Sequence, residues 1–180
     1  MGAADQLTVA RIAAAPLIVA LYVVEFSGHD YCATALFAIA MATDWFDGWI
    51  ARRSGRSSAM GSLLDPVADK ILVLGVLIVL VDRGVFAGWM VAAIVAREFL
   101  VSGLRLAALE RGVVLGARDL GKLKTWLQSV AALLGGLAAA GAIRDGVAWW
   151  ALVVALVVTL VSGLDYARLA PRLLRGGIAA

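Results

Sequence analysis

Six long apolar runs leave this chain few ways to fold. They cover approximately Leu7–Val24, Tyr31–Ile50, Leu63–Val81, Phe86–Leu106, Leu123–Ile143 and Val147–Leu164. Each approaches the ~20 residues that a helix needs to cross ~30 Å of hydrocarbon. In lipid the backbone must satisfy its own N–H and C=O groups, so spans of this kind are helices. A single water-soluble core cannot absorb this much apolar sequence. The chain is 63% hydrophobic and 16% charged, where soluble domains are ~25% charged. The expectation is an all-α integral membrane protein of six transmembrane helices, forming one domain over residues 1–180. Breakers fall between the runs, in "EFSGHD", "RRSGRSSAMGS", "VDRGV", "ERGVVLGARDLGK" and "IRDGV". The segment "MGAADQLTVAR" leads into the first run as a span rather than a cleaved leader. Cys32 is the only cysteine, so no disulfide forms within the chain.

Charge orients the six spans. One set of ends carries Arg11, Arg52, Arg53, Arg56, Arg111, Arg118, Lys122, Lys124, Arg168, Arg172 and Arg175, whereas the opposite loops carry only Arg83 and Arg144. By the positive-inside rule the first set is cytoplasmic, which puts both termini inside. Glu25, His29, Asp30, Asp82 and Asp145 mark the other side, with His29 read as a loop residue.

The facing ends of the second and third runs break the apolar pattern. The stretch "TDWFDGWIARRSGRSSAMGSLLDPVADK", Thr43–Lys70, contains Asp44, Asp47, Asp65 and Asp69. A carboxylate in hydrocarbon costs at least ~2.5 kcal/mol. On a helix Asp44 and Asp47 lie within ~60° of one another, and Asp65 and Asp69 within ~40°. The short basic connection predicts that the two helices pack antiparallel, so that four carboxylates meet near one point. Hard divalent cations relieve their repulsion, and two ions ~3.5–4 Å apart are a common arrangement for phosphoryl transfer. Gly48, Ala51 and Gly61 leave room for a flat group, and Arg52 can grip phosphate in a fork. Pro66 is read as lying early in its span, where a missing N–H is best tolerated. A topology device, in which the aspartates pair with neighbouring Arg and Lys, explains one aspartate better than four at these spacings.

The pattern Asp44-x2-Asp47-Gly48-x2-Ala51-Arg52-x8-Gly61-x3-Asp65-x3-Asp69 resembles the signature of the CDP-alcohol phosphotransferase family at every defined position. The resemblance implies transfer of a phosphatidyl group from CDP-diacylglycerol to an alcohol, with release of CMP. It implies two ions, Mg²⁺ or Mn²⁺, held by Asp44, Asp47, Asp65 and Asp69, with Asp69 also the catalytic base. Gly48, Ala51, Arg52 and Gly61 would frame the cytidine diphosphate. The active site would sit at the cytoplasmic boundary of a bacterial inner membrane, between helices 2 and 3. Family members are commonly homodimers, and no nucleic-acid partner is implied.

The acceptor rests on other stretches. "AREFLVSGLR" (Ala96–Arg105), "GKLKTWLQ" (Gly121–Gln128) and "LTVARIAAAP" (Leu7–Pro16) resemble the phosphatidylglycerophosphate synthase branch, although Asp5 stands where that branch often has Asn. This similarity thins after about Gly141. It implies sn-glycerol 3-phosphate as acceptor, a small dianion that calls for a cationic pocket. Arg105, Lys122, Lys124 and Arg118 are the candidates, against a reading as ordinary positive-inside charge. Lys122 and Lys124 do not share a helix face, so aiming both at one phosphate calls for a bend or loop. Arg97 and Glu98 point ~100° apart and need not pair with each other; a structural ion pair is the expectation for both, against Arg97 pairing with an aspartate of the cluster or Glu98 orienting a basic residue. Thr125 and Gln128 extend a polar face toward the site. Inositol phosphate or phosphatidylglycerol are alternative acceptors for the same chemistry. A cation transporter is the alternative outside enzymes, but it predicts polar residues in both leaflets, and the acids gather at one.

Overall fold

A computed structural model describes the backbone of residues 3–54, 59–110 and 119–175, with side chains described for 10–43, 68, 70–110, 121–164, 166 and 168. The described residues form six helices: α1 Ala3–Val23, α2 His29–Ser54, α3 Ala59–Asp82, α4 Gly88–Glu110, α5 Asp119–Ala139 and α6 Asp145–Arg175. The shortest have 21 residues, or ~31 Å at 1.5 Å per residue, enough for the hydrocarbon layer.

Only α6, over Asp145–Leu164 with mean hydropathy 2.3, is long and apolar enough by composition to cross a membrane among the described residues. Burial shows why composition understates α4. Its Arg97 and Glu98 are buried, while Trp89, Phe99 and Leu100 are 67%, 71% and 69% exposed. Apolar side chains outside and charges inside invert the arrangement of a water-soluble bundle, and the all-helical fold is consistent with an integral membrane protein.

Glycines end two of the helices. Gly84 (φ +75°) closes α3, with Val85 N–H donating to Leu80 O at 3.1 Å and Gly84 N–H to Val81 O at 3.0 Å. Gly141 (φ +75°) closes α5 in the same way through Leu137 O and Ala138 O. This paired bonding is the Schellman stop. It ends α5 at Ala139, although the apolar run continues to Ile143. The opposite difference occurs in α6, which continues past the apolar Leu164 to Arg175. Because α3 starts at Ala59, Pro66 stands in the interior of the helix rather than its first turn and leaves the Ser62 carbonyl without its helical partner.

α3 is central, packed on α1, α4 and α5; α2 packs on α1 and α5, and α6 on α4 and α5. Leu72, Val76, Leu77 and Leu80 of α3 are fully buried against Ile18, Phe37 and Ile94 in one core. The expected direct packing of α2 on α3 is not found among the described residues. Residues of both helices line one cavity, and α1 and α5 each pack on both.

The end away from the cavity is tied by polar contacts. Arg83 Nη2 donates to Asp30 Oδ2 at 2.8 Å. His29 opens α2 rather than lying in a loop, and its Nδ1 donates to Leu21 O at 3.2 Å. Tyr22 and Thr34 share a hydroxyl hydrogen bond of 2.9 Å, and Thr34 Oγ1 donates to Asp30 O. α5 crosses here on Gly135 and Gly136. A Cβ on Gly135 would lie 2.6 Å from Phe86 Cζ, and one on Gly136 would overlap the Tyr22 and Thr34 hydroxyls.

Gly136→Val should therefore lower the thermal unfolding midpoint in detergent by several degrees, reflecting overpacking of ~1–3 kcal/mol. Gly103→Ala, with nothing within 4 Å of the added Cβ, should leave the midpoint unchanged or raised. Equal midpoints for both variants would contradict the close crossing.

Candidate functional site

A cavity of about 760 Å³ opens between the helices. Phe37, Ala38, Met41 and Ala42 of α2 form one side, and Lys70, Val73 and Leu74 of α3 another. α4 contributes Arg97, Glu98, Val101, Ser102 and Arg105, positions that recur with the helical repeat and so share one stripe. α5 adds Gly121, Lys122, Lys124, Thr125 and Gln128, among others, and α6 adds Tyr166. Among the described residues the lining holds five cationic side chains and one carboxylate. Such a surplus in a concave, partly apolar site draws anions.

The charges are held by specific bonds. Arg97 spreads its fork between two helices: Nη1 donates to Glu98 Oε1 at 2.9 Å, and Nη2 to Ser162 Oγ on α6 at 2.8 Å. Its guanidinium carbon lies 6.0 Å from the Tyr166 ring centre, within cation–π range. Gly163 makes room for the arginine stem, since a Cβ there would lie 3.0 Å from Arg97 Cγ. Lys124 Nζ donates to Glu98 Oε1, and Lys70 Nζ donates to Ser102 Oγ. Lys70 Nζ also lies 3.9 Å from Glu98 Oε2. Gln128 Nε2 donates to Thr159 Oγ1 at 2.8 Å, joining α5 to α6.

Three of the four expected acceptor residues, Arg105, Lys122 and Lys124, line this one cavity. α5 is continuous from Asp119, so no bend separates the two lysines. Lys122 is exposed and Lys124 buried, and both line the cavity. Arg118 lies outside the described residues. Arg97 and Glu98 do pair with each other: the long arginine side chain closes the angle between neighbouring positions. Thr125 and Gln128 face the cavity as expected.

Asp44, Asp47, Gly48, Ala51 and Arg52 belong to α2, and Gly61, Asp65 and Asp69 to α3; their side chains lie outside the described part of the structure. Both helices are unbroken through these positions, so the spacings of three and four residues keep their helical meaning. Position 44 falls two turns after Phe37, and position 69 one turn before Val73. An all-carboxylate donor set at such positions suits a hard divalent cation.

The model of the family described as CDP-alcohol phosphatidyltransferase matches residues 1–161. The chain belongs to the CDP-alcohol phosphatidyltransferase family. The match runs well past Gly141 and includes most of α6. The chain is also similar to the CDP-diacylglycerol–glycerol-3-phosphate 3-phosphatidyltransferase of Bacillus subtilis (strain 168), with 39% identity over 176 residues, covering 90% of this chain and 91% of that protein. The Rickettsia bellii protein of the same name is 37% identical over 165 residues, covering 90% and 91%. The Escherichia coli (strain K12) protein is 37% identical over 130 residues, covering 69% and 71%.

Ser102 and Tyr166 line the cavity, and Thr159 and Ser162 bond to its Gln128 and Arg97, although nothing in the sequence pattern singles out these four. Isolated hydroxyls in apolar runs are a weak signal, since they also bond locally to their own helix. Lys70 was visible beside Asp69, but its turn toward α4 was not.

Arg97→Lys should not substitute for the arginine, because one ammonium lacks the planar fork that spans Glu98 and Ser162. It should lower the unfolding midpoint in detergent, with a cost of ~1.5–3 kcal/mol for the lost charged hydrogen bond. A wild-type midpoint would show that the fork does not hold α4 to α6.

Proposed function

We propose that this family member transfers the phosphatidyl group of CDP-diacylglycerol to sn-glycerol 3-phosphate, producing phosphatidylglycerophosphate and CMP in phospholipid synthesis. The observation that carries this reading is the similarity, at 37–39% identity over 90% of the chain, to proteins named for that reaction. The cationic cavity supports it, because a phosphomonoester dianion is the ligand such a lining suits. In this reading six helices span a bacterial inner membrane with both termini cytoplasmic, and the chain works as a homodimer. The lipid tails of the donor then remain in hydrocarbon while nucleotide and acceptor come from the cytoplasm.

Asp44, Asp47, Asp65 and Asp69 would hold two divalent ions, Mg²⁺ or Mn²⁺. Bound there, these supply positive charge that neutralises the donor diphosphate and eases departure of CMP. Gly48, Ala51 and Gly61 leave space for the cytidine diphosphate, and Arg52 grips its phosphate. Arg105, Lys122 and Lys124, with Arg118 from the neighbouring segment, bind the acceptor phosphate. That contact aims the acceptor hydroxyl at the phosphorus carrying diacylglycerol. Asp69 takes the hydroxyl proton as the new P–O bond forms and the bond to CMP breaks. Position 69 precedes the cavity-lining Lys70 and Val73 on α3, which supports donor and acceptor chemistry meeting there.

The decisive assay supplies purified protein with CDP-diacylglycerol and Mg²⁺, and compares glycerol 3-phosphate, inositol phosphate and phosphatidylglycerol as acceptors by CMP release. Glycerol 3-phosphate should be the efficient one; release only with inositol phosphate would reassign the acceptor, and release with none would end the enzyme reading. Asp69→Asn should abolish turnover while CDP-diacylglycerol still binds, and lost binding would make Asp69 chiefly a metal ligand. Lys124→Ala should raise KM for glycerol 3-phosphate about tenfold or more, the scale of a lost charged hydrogen bond. The donor KM should hardly move, and equal rises in both would argue against phosphate binding by Lys124.

A further inference from the structure

One carboxylate serves three cations in the cavity wall. Glu98 is 3% exposed. It accepts from Arg97 of its own helix and from Lys124 of α5, and lies within ion-pair distance of Lys70 of α3. Without a counter-charge the buried Arg97 and Lys124 and the partly exposed Lys70 repel one another, and lysine stems are long enough to swing their heads toward water. The bonds do not exhaust the donors. An ammonium carries three N–H groups; among the described residues Lys124 donates to Glu98 and Lys70 to Ser102. Both lysines line the cavity.

We propose that Glu98 is a positioning residue for the acceptor. It holds Lys124, with Arg97 and Lys70 around it, as a preassembled cationic wall on which the acceptor phosphate seats. This inference rests on the functional reading above and deepens it. Glu98 has two opposed effects on an incoming anion. Its charge weakens the attraction of the cavity, while its bonds order the cations before the ligand arrives and so spare binding that cost. Burial decides between them. Lys124 is only 8% exposed, so without Glu98 its ammonium either stays buried and unpaired or leaves the wall. Leaving the wall removes it from the phosphate.

The opposition of the two effects makes the test sharp. Glu98→Gln removes a negative charge with almost no change of shape. If charge count governed, glycerol 3-phosphate would bind more tightly. If positioning governs, its KM rises about tenfold or more, and the KM for CDP-diacylglycerol stays within about twofold. An unchanged or lower acceptor KM overturns the proposal, and so does a parallel rise in both constants, which marks general damage. Because Glu98 acts through Lys124, the acceptor KM of E98Q/K124Q should rise by less than the product of the two single effects; full multiplicativity overturns it. Should E98Q fail to fold, Glu98→Asp keeps the charge but retracts the carboxylate. It should raise the acceptor KM severalfold with the donor KM unchanged, and a wild-type acceptor KM would overturn the role. Wild-type protein that releases no CMP with glycerol 3-phosphate would instead overturn the functional reading itself. Activity in the wild type without the Glu98 effect removes only the present inference.

Discussion

A charge buried among apolar helices needs a partner, and the interior of this bundle is arranged around that need. Glu98 meets Arg97, Lys124 and Lys70, and Arg97 passes the connection on to Ser162. These contacts draw α3, α4, α5 and α6 to one polar centre. Buried ion pairs contribute little net stability, because desolvation offsets the attraction. Breaking one is costly, so such a centre constrains which helices meet and in what register. In the proposed function the demands of folding and of binding meet at Lys124, which would bind the acceptor phosphate and is itself bonded to Glu98.

The opposite end has a different logic. There the helices approach through missing side chains, with Gly135 and Gly136 of α5 seated against Phe86, Leu80, Tyr22 and Thr34. Close crossing brings many weak contacts into range, which suits association in lipid, where water no longer drives apolar surfaces together. A close-packed end and an open, charged end let one bundle hold its helices together and still contain a cavity. The close-packed end fixes the helix axes that hold the cationic lining in place.

Much of the fold was legible before any coordinates. All six helices fall on the six apolar runs, because helix formation in an apolar segment is a local matter of length and backbone satisfaction. Errors arose where hydropathy and backbone geometry part company. The residues after Ala139 are apolar, yet Gly141 adopts a left-handed conformation and ends α5. After Leu164 the charged Asp165, Arg168, Arg172 and Arg175 interrupt the apolar pattern, yet no turn stops α6 before Arg175. Pro66 seems early because the apolar run begins at Leu63, four residues after α3 itself starts at Ala59.

For the site, the sequence alone determined the spacing of Asp44, Asp47, Asp65 and Asp69 on two helices, the family to which that spacing belongs, and the basic residues worth watching. Those are local or pattern-level properties, carried by residue type and separation. Only the tertiary structure decided which distant groups meet. Glu98 and Lys124 are 26 residues apart, and Arg97 and Ser162 are 65 apart. It also decided that described residues of α2 and α3 line one cavity. No periodicity encodes such meetings, because they depend on how helix axes cross and on how far a flexible lysine or arginine reaches once they have done so.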